Sequence, residues 1–153
     1  MLRFLKQKGF LQYEISNFAK TGFESKHNSS YWKNKSYLGV GPSAHSFDGQ
    51  TRRWNVSNNT NYYKNVGKND SWFETEILTE NDQWNELFLT GLRTIWGVSK
   101  SVLRKRGKLT ESERNIIELL KENGDLIETN KSFILTEKGR LKADGIAASL
   151  FRI

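Results

Sequence analysis

Between Trp84 and Ile95 the apolar side chains recur at a spacing that one regular structure buries together. Trp84, Leu87, Phe88, Gly91, Leu92 and Ile95 stand at i, i+3, i+4, i+7, i+8 and i+11, one stripe of an amphipathic helix. A helix with such a stripe must lay it against a second layer, and the residues that follow offer one. "SKSVLRKRG" reads as a short helix stopped at Gly107. "TESERNIIELLKENG" opens on a capping-box pair, Thr110 and Glu113, buries Ile116, Ile117 and Leu120, and stops at Gly124. "DLIET" and "SFILT" are two strands about the turn Asn130-Lys131. Thr136 then caps one closing helix with Ala143, Ile146, Ala147 and Leu150 on a shared face. Three helices, a hairpin and a closing helix make a winged-helix arrangement, predicted over residues 79–153.

Upstream the pattern differs. "RFLKQKGFLQYEI" reads as a helix about two turns long, a stop at Gly9 and a strand. So short a helix is marginal unless it packs on something, which implies that the chain starts partway through a larger domain, with Met1 a start imposed on an interior segment. Residues 19–35 show neither helical nor strand periodicity and are expected as a long loop. "SYLGVGPSAHSFDG" and "TRRWNVSN" flank a hairpin turn at Asp48-Gly49, "NTNYYKNV" is a short helix, and "KNDSWFETEI" is expected to join two domains, 1–78 and 79–153. The fold class expected from the whole is α+β.

Composition narrows the chemistry. The 153 residues include no cysteine, which removes disulfides, thiolate metal sites and thiol nucleophiles. No apolar run approaches the roughly 20 residues of a membrane span, and the expected setting is cytoplasmic. A formal net charge of +7 would suit nucleic acid, an anionic membrane surface, a carboxylate-bearing ligand or no partner at all. The third helix, "ESERNIIELLKE", carries four glutamates against one arginine and one lysine and would repel phosphates, so nucleic acid is not the expected partner.

With two histidines, His27 and His45, a triad or a multi-histidine metal site has little to draw on. In "HNSSYW", His27 has Tyr31 and Trp32 for company. An imidazole binds heme iron axially, and flat aromatic faces stack on a macrocycle; the same residues also suit an ordinary surface loop. "GVGPSAHS" puts Gly39 and Gly41 where backbone can approach a ligand, or simply makes a tight turn. "EISNF" sets Glu14, Ser16 and Asn17 at a strand's end, where barrel enzymes keep site residues, although Glu14 equally suits an exposed strand position.

"YEISNFAKTGFESKHNSSYW", "YLGVGPSAHS", "RRWN", "GLRT" and "LTEKGRLKADGIAASL", in this order along almost the whole chain, resemble the C-terminal part of the HemW family, heme chaperones of the radical S-adenosylmethionine superfamily. The resemblance implies the last part of a partial (β/α) barrel followed by the winged-helix-like domain. The family's HNxxYW motif matches at His27, Asn28, Tyr31 and Trp32, implying heme as cofactor with His27 on its iron and heme-acceptor proteins as partners. Gly39, Gly41, Ala44 and His45 are implied to lie beside S-adenosylmethionine in the complete protein. The family's CxxxCxxC motif for a four-iron, four-sulfur cluster is absent here, so neither cluster nor S-adenosylmethionine is expected on this chain, nor catalysis from it alone. A membrane-surface association of the complete protein is a further expectation. Two alternatives stay open: a piece of an oxygen-independent coproporphyrinogen III oxidase, and a winged-helix nucleic-acid module.

Overall fold

The computed structural model describes residues 2–68 and 70–153, and among them the chain is a mixed α/β protein whose sheets are all open. In chain order the elements are α1 Leu2–Gln7, β1 Phe10–Glu14, β2 Asn17–Lys20, α2 Lys26–Trp32, β3 His45–Phe47, β4 Thr51–Asn55, α3 Asn59–Asn65, β5 Phe73–Ile77, α4 Glu80–Gly91, β6 Val98–Ser99, α5 Lys100–Arg106, α6 Glu111–Glu122, β7 Leu126–Glu128, β8 Ser132–Leu135, α7 Glu137–Arg140 and α8 Ala143–Ser149. The strands form three sheets in the orders β1-β2, β3-β4-β5 and β6-β8-β7, every pairing antiparallel. Among the described residues no sheet closes into a barrel. By packing, Met1–Lys33 and Glu80–Ile153 make one compact unit and Asn34–Thr79 another.

The first unit is built on the stripe of α4. Phe88 is 0% exposed, with Trp84 and Leu92 buried beside it. The core they share takes in Leu103 of α5, Ile117 of α6, the strand residues Leu126, Phe133 and Leu135, and the face of α8. Trp84 does not bury its indole N–H unpaired: it donates to the Leu150 carbonyl at 3.2 Å, as a core tryptophan should. At the start of α6 the expected capping box is present. The Thr110 hydroxyl accepts from the Glu113 amide at 3.2 Å, and Glu113 accepts from the Thr110 amide at 2.6 Å. Glu113 also receives Arg152 Nε at 2.8 Å, while that guanidinium lies 3.3 Å from the centroid of Trp84. One carboxylate thus starts a helix and fastens the end of the chain.

Several expectations need correction. Residues 19–35 are no long loop: they hold the end of β2 and the whole of α2. The closing helix is two helices, because Lys142 (φ −121°, ψ 16°) leaves helical geometry between α7 and α8 and turns its Nζ to Asp125 at 2.7 Å. Gly139 presses so closely on the Asp125 carbonyl that a Cβ there would collide with it, which pins α7 to the loop before β7. Strand β5, not expected from the sequence, lies within the segment expected as a join, its Phe73, Glu74 and Thr75 pairing with Asn55, Trp54 and Arg53, which leaves the expected domain division as it stands; Asn69 of that segment, like Met1, lies outside the described residues. Val98–Ser99 adds a third strand to the expected β7-β8 hairpin.

The second unit follows the sequence closely. Asp48 accepts from the amides of Gln50 (2.9 Å) and Thr51 (2.7 Å), an Asx-type turn that folds β3 onto β4. The Arg53 guanidinium lies 4.3 and 4.2 Å from the ring centroids of Trp72 and Phe73, an arrangement that favours cation–π attraction.

Phe88→Ala, which empties a fully enclosed site, should lower the unfolding free energy by about 3–5 kcal/mol in urea titrations, and Thr110→Ala by about 1 kcal/mol. Burial alone would raise the Glu113 pKa, but the hydrogen bonds from Arg152 and Thr110 outweigh it and hold the carboxyl below the ordinary range. A depressed carboxylate stabilises the fold above its unfolded pKa of about 4.3 and ceases to as pH falls through the folded value. Stability measured from pH 6 downward to about pH 3 should therefore decline less steeply in Glu113→Gln than in the parent; identical slopes would contradict the assignment.

Candidate functional site

Helix α2 carries "HNSSYW" and has little intrinsic reason to exist: seven residues, rich in Ser and Asn, are too short to be helical alone. Local and tertiary bonds hold it. Ser25 caps it, its hydroxyl accepting from the Asn28 amide at 3.2 Å, and the Ser30 hydroxyl donates to the Lys26 carbonyl at 2.8 Å. Asn28 Nδ2 donates to the hydroxyl of the buried Tyr13 at 3.2 Å, and Ser29 faces inward.

The helix sorts the motif onto two faces. His27 and Tyr31, four apart, project together to solvent. Their rings meet edge to face with centroids 5.0 Å apart, and Tyr31 Oη lies 3.2 Å from His27 Nε2. Asn28 and Trp32 lie a helical step of about 100° further round. Trp32 is half-buried, with its Nε1 enclosed and without a hydrogen-bond partner among the described residues and the Arg93 guanidinium 5.3 Å from its ring centroid. Tyr31 and Trp32 therefore do not form one flat platform. His27 and Tyr31 form the outward edge, and Asn28 and Trp32 anchor it.

The residue that sequence reasoning missed is Arg93. Its Nε lies 3.4 Å from Glu14 and its Nη1 2.6 Å from Asp144, while its carbonyl accepts from the Ile15 amide at 3.1 Å. Glu14 is 2% exposed, not the exposed strand residue it equally suited, and it also accepts from the Ser16 amide (2.9 Å) and Asn17 Nδ2 (2.6 Å). One guanidinium thus joins the β1-β2 turn, the Trp32 ring at the end of α2 and the first turn of α8. Lys33, just past α2, places its Nζ 3.9 Å from the Trp96 centroid. The stretch "GLRT" held Arg93 in view, but nothing local in it indicates partners so distant in sequence.

In the second unit, "GVGPSAHS" is a folded loop. Asn55, 2% exposed, donates through Nδ2 to the Gly41 carbonyl at 2.8 Å, its backbone amide donates to the Ala44 carbonyl at 3.0 Å, and Tyr62 Oη accepts from the Gly41 amide at 3.1 Å. At Gly39 a Cβ would run into the His45 backbone, so the glycine serves the loop's own closure. His45 is exposed and shares with Ser43, Trp54, Asn55 and Glu74 the wall of a cavity of about 510 Å³. Gly39, Gly41, Ala44 and His45 are thus close together, on a loop that hydrogen bonds fix without any ligand.

Similarity to known proteins gives this geometry a context. Heme chaperone HemW of Bacillus subtilis is 36% identical over 140 residues, covering 90% of this chain and 37% of that protein. Heme chaperone HemW of Mycobacterium tuberculosis is 31% identical over 147 residues, covering 95% and 36%. A solved chain of the Escherichia coli coproporphyrinogen III oxidase HemN, described as a radical SAM enzyme, superposes with a TM-score of 0.69 at 20% identity over 98% of this chain and 39% of its own. The chain is related in sequence to HemW proteins and in fold to part of HemN. It spans little more than a third of the length of these relatives. Its mixed α/β fold is that of part of HemN. No protein-family model matches the chain.

The chain offers His27 as an exposed imidazole donor. It has no cysteine, hence no thiolate for a four-iron, four-sulfur cluster, and among the described residues no three His, Cys, Asp or Glu converge on a metal position. An exposed imidazole beside a phenol, with Lys26 exposed on the same helix, does fit a heme, whose iron needs one axial nitrogen and whose propionates favour nearby cations.

Arg93→Met leaves the Glu14 carboxylate enclosed with only two neutral donors, which should cost about 3 kcal/mol in urea unfolding monitored by tryptophan fluorescence. Adding Glu14→Gln should return about 1 kcal/mol or more. An Arg93→Met protein as stable as the parent would remove Arg93 from this role.

Proposed function

We propose that this chain is the C-terminal portion of a heme chaperone, in which α2 presents His27 to heme iron and the complete protein passes the heme to acceptor proteins. The observation that supports this most is the exposure of His27 on the outward face of an anchored helix, in a chain 36% identical to a heme chaperone over 140 residues. In this reading Nε2 would take the iron on giving up its 3.2 Å contact with Tyr31 Oη, Tyr31 would border the bound heme, and Asn28 and Trp32 hold the helix in place. Heme, when bound, is cargo: the protein's part is to bind it reversibly from an open face, and an exposed helix edge suits transfer better than an enclosed pocket.

The domain assignment proposed with it is a barrel-derived part over residues 1–78 and a winged-helix-like part over 79–153, to which α4, α5, α6 and the β6-β8-β7 sheet belong. Gly39, Gly41, Ala44 and His45 would neighbour S-adenosylmethionine in the complete protein, in a cytoplasmic setting; no helix among the described residues is long and apolar enough to cross a membrane. A second reading, a piece of a coproporphyrinogen III oxidase, draws on the fold likeness to HemN. It gives HNxxYW no task.

Titrating hemin into the chain should give a saturable Soret band. His27→Ala should weaken binding roughly tenfold or more, about 1.4 kcal/mol, and shift the band, while His45→Ala should leave both unchanged. Equal affinity and spectrum in parent and His27→Ala would overturn the assignment.

A further inference from the structure

A cleft of about 300 Å³ lies between α5, α6 and β8, with Leu103, Leu109 and Phe133 on its floor and Lys100, Arg104, Lys108 and Arg114 around its rim. Nothing in the heme reading uses it. Arg104, Lys105, Arg106, Lys108 and Arg114 are all exposed, and among the described residues none has a carboxylate within ion-pair distance. The carboxylates nearby are committed elsewhere. Glu113 is held by Arg152 and the Thr110 amide, and Glu128, which touches the cleft, is neutralised by Lys100 at 2.5 Å and Lys121 at 2.8 Å.

Three of the cations sit in the last turn of α5, where the helix's terminal carbonyls favour them. That accounts for Arg104, Lys105 and Arg106. It does not account for Lys108 or Arg114, which lie beyond α5 and repel the other three. Three cations without a carboxylate partner among the described residues, Arg104, Lys108 and Arg114, line the apolar floor, with Lys105 and Arg106 exposed on the same α5 turn as Arg104, so positive charge is in excess around a small greasy seat.

We propose that this cleft docks an acidic segment of a partner protein, one that sets an aromatic or aliphatic side chain on the Leu103–Leu109–Phe133 floor and its carboxylates on the rim. Charge complementarity favours this occupant over nucleic acid. A phosphate backbone extending beyond the cleft would meet the exposed Glu111, Glu118 and Glu122 of α6, whereas a short acidic segment ends before reaching them. The bidentate guanidinium fork of Arg104 suits a carboxylate, and Arg114, which gives its Nη2 to the Leu109 carbonyl at 2.9 Å, keeps further N–H donors for a second.

The test is fluorescence polarisation with a labelled synthetic peptide of alternating Asp and Glu around one central Phe, at low salt, on the full chain. The peptide should bind saturably. Arg104→Glu with Lys108→Glu should weaken it roughly tenfold, and the Phe→Ser peptide should bind several-fold more weakly. Lys64→Glu with Lys68→Glu, an equal change in net charge on exposed positions of the other unit, should have little effect. Thermal unfolding of both double variants checks that they fold. No saturable binding, equal loss in both double variants, indifference to the Phe, or tighter binding of a mixed-sequence DNA duplex at the same salt would each overturn the proposal.

Discussion

Beneath α2 a single guanidinium meets one carboxylate that water scarcely reaches. Glu14 is enclosed on every side, and an enclosed carboxylate is tolerated only when donors surround it. Two come from its own turn, and the cationic one comes from Arg93, just past the end of α4. Because Arg93 also reaches Asp144 and the ring of Trp32, the position of α2 is set by residues drawn from three distant parts of the sequence. Removing the cation would leave a charge with nowhere to go, and the surface carrying His27 would lose its footing. An exposed pair such as Lys6 with Glu137 contributes little by comparison.

How much of this the sequence discloses depends on whether the cause is local. The capping box at Thr110 and Glu113 was legible because both partners lie within four residues, and the α4 stripe because its period is its own evidence. The turn at Asp48-Gly49 was legible for the same reason. Helix α2 was not, since Ser25 is a good cap but "KHNSSYW" has no apolar period, and what fixes it is Tyr13 and Arg93. Strands β2, β5 and β6 escaped notice because short strands are defined by their partners, and β5 is mostly exposed. Arg93 itself is separated by 79 residues from Glu14 and by 51 from Asp144. No spacing rule reaches so far.

The candidate site divides in the same way. That His27 and Tyr31 would share a face follows once the segment is helical, and the sequence lacked only that fact. The separation of Tyr31 from Trp32 follows from it too, and it changes the physical picture. The outward edge offers an imidazole and a phenol, with exposed lysine nearby, while the indole serves the helix's attachment. The "GVGPSAHS" loop shows the opposite case: its glycines, which suggested room for a ligand, are first required by the loop's own shape, Gly39 by the His45 backbone packed against it and Gly41 by a φ of 104°.

The central claim is that the imidazole on the outer face of α2 takes the iron of heme. Crystals of the chain grown with hemin, measured at the iron absorption edge, locate that atom without reference to affinity or colour. The account predicts an anomalous peak within bonding distance of His27 Nε2, with α2 in place above Arg93. Iron seated against any other side chain would contradict it.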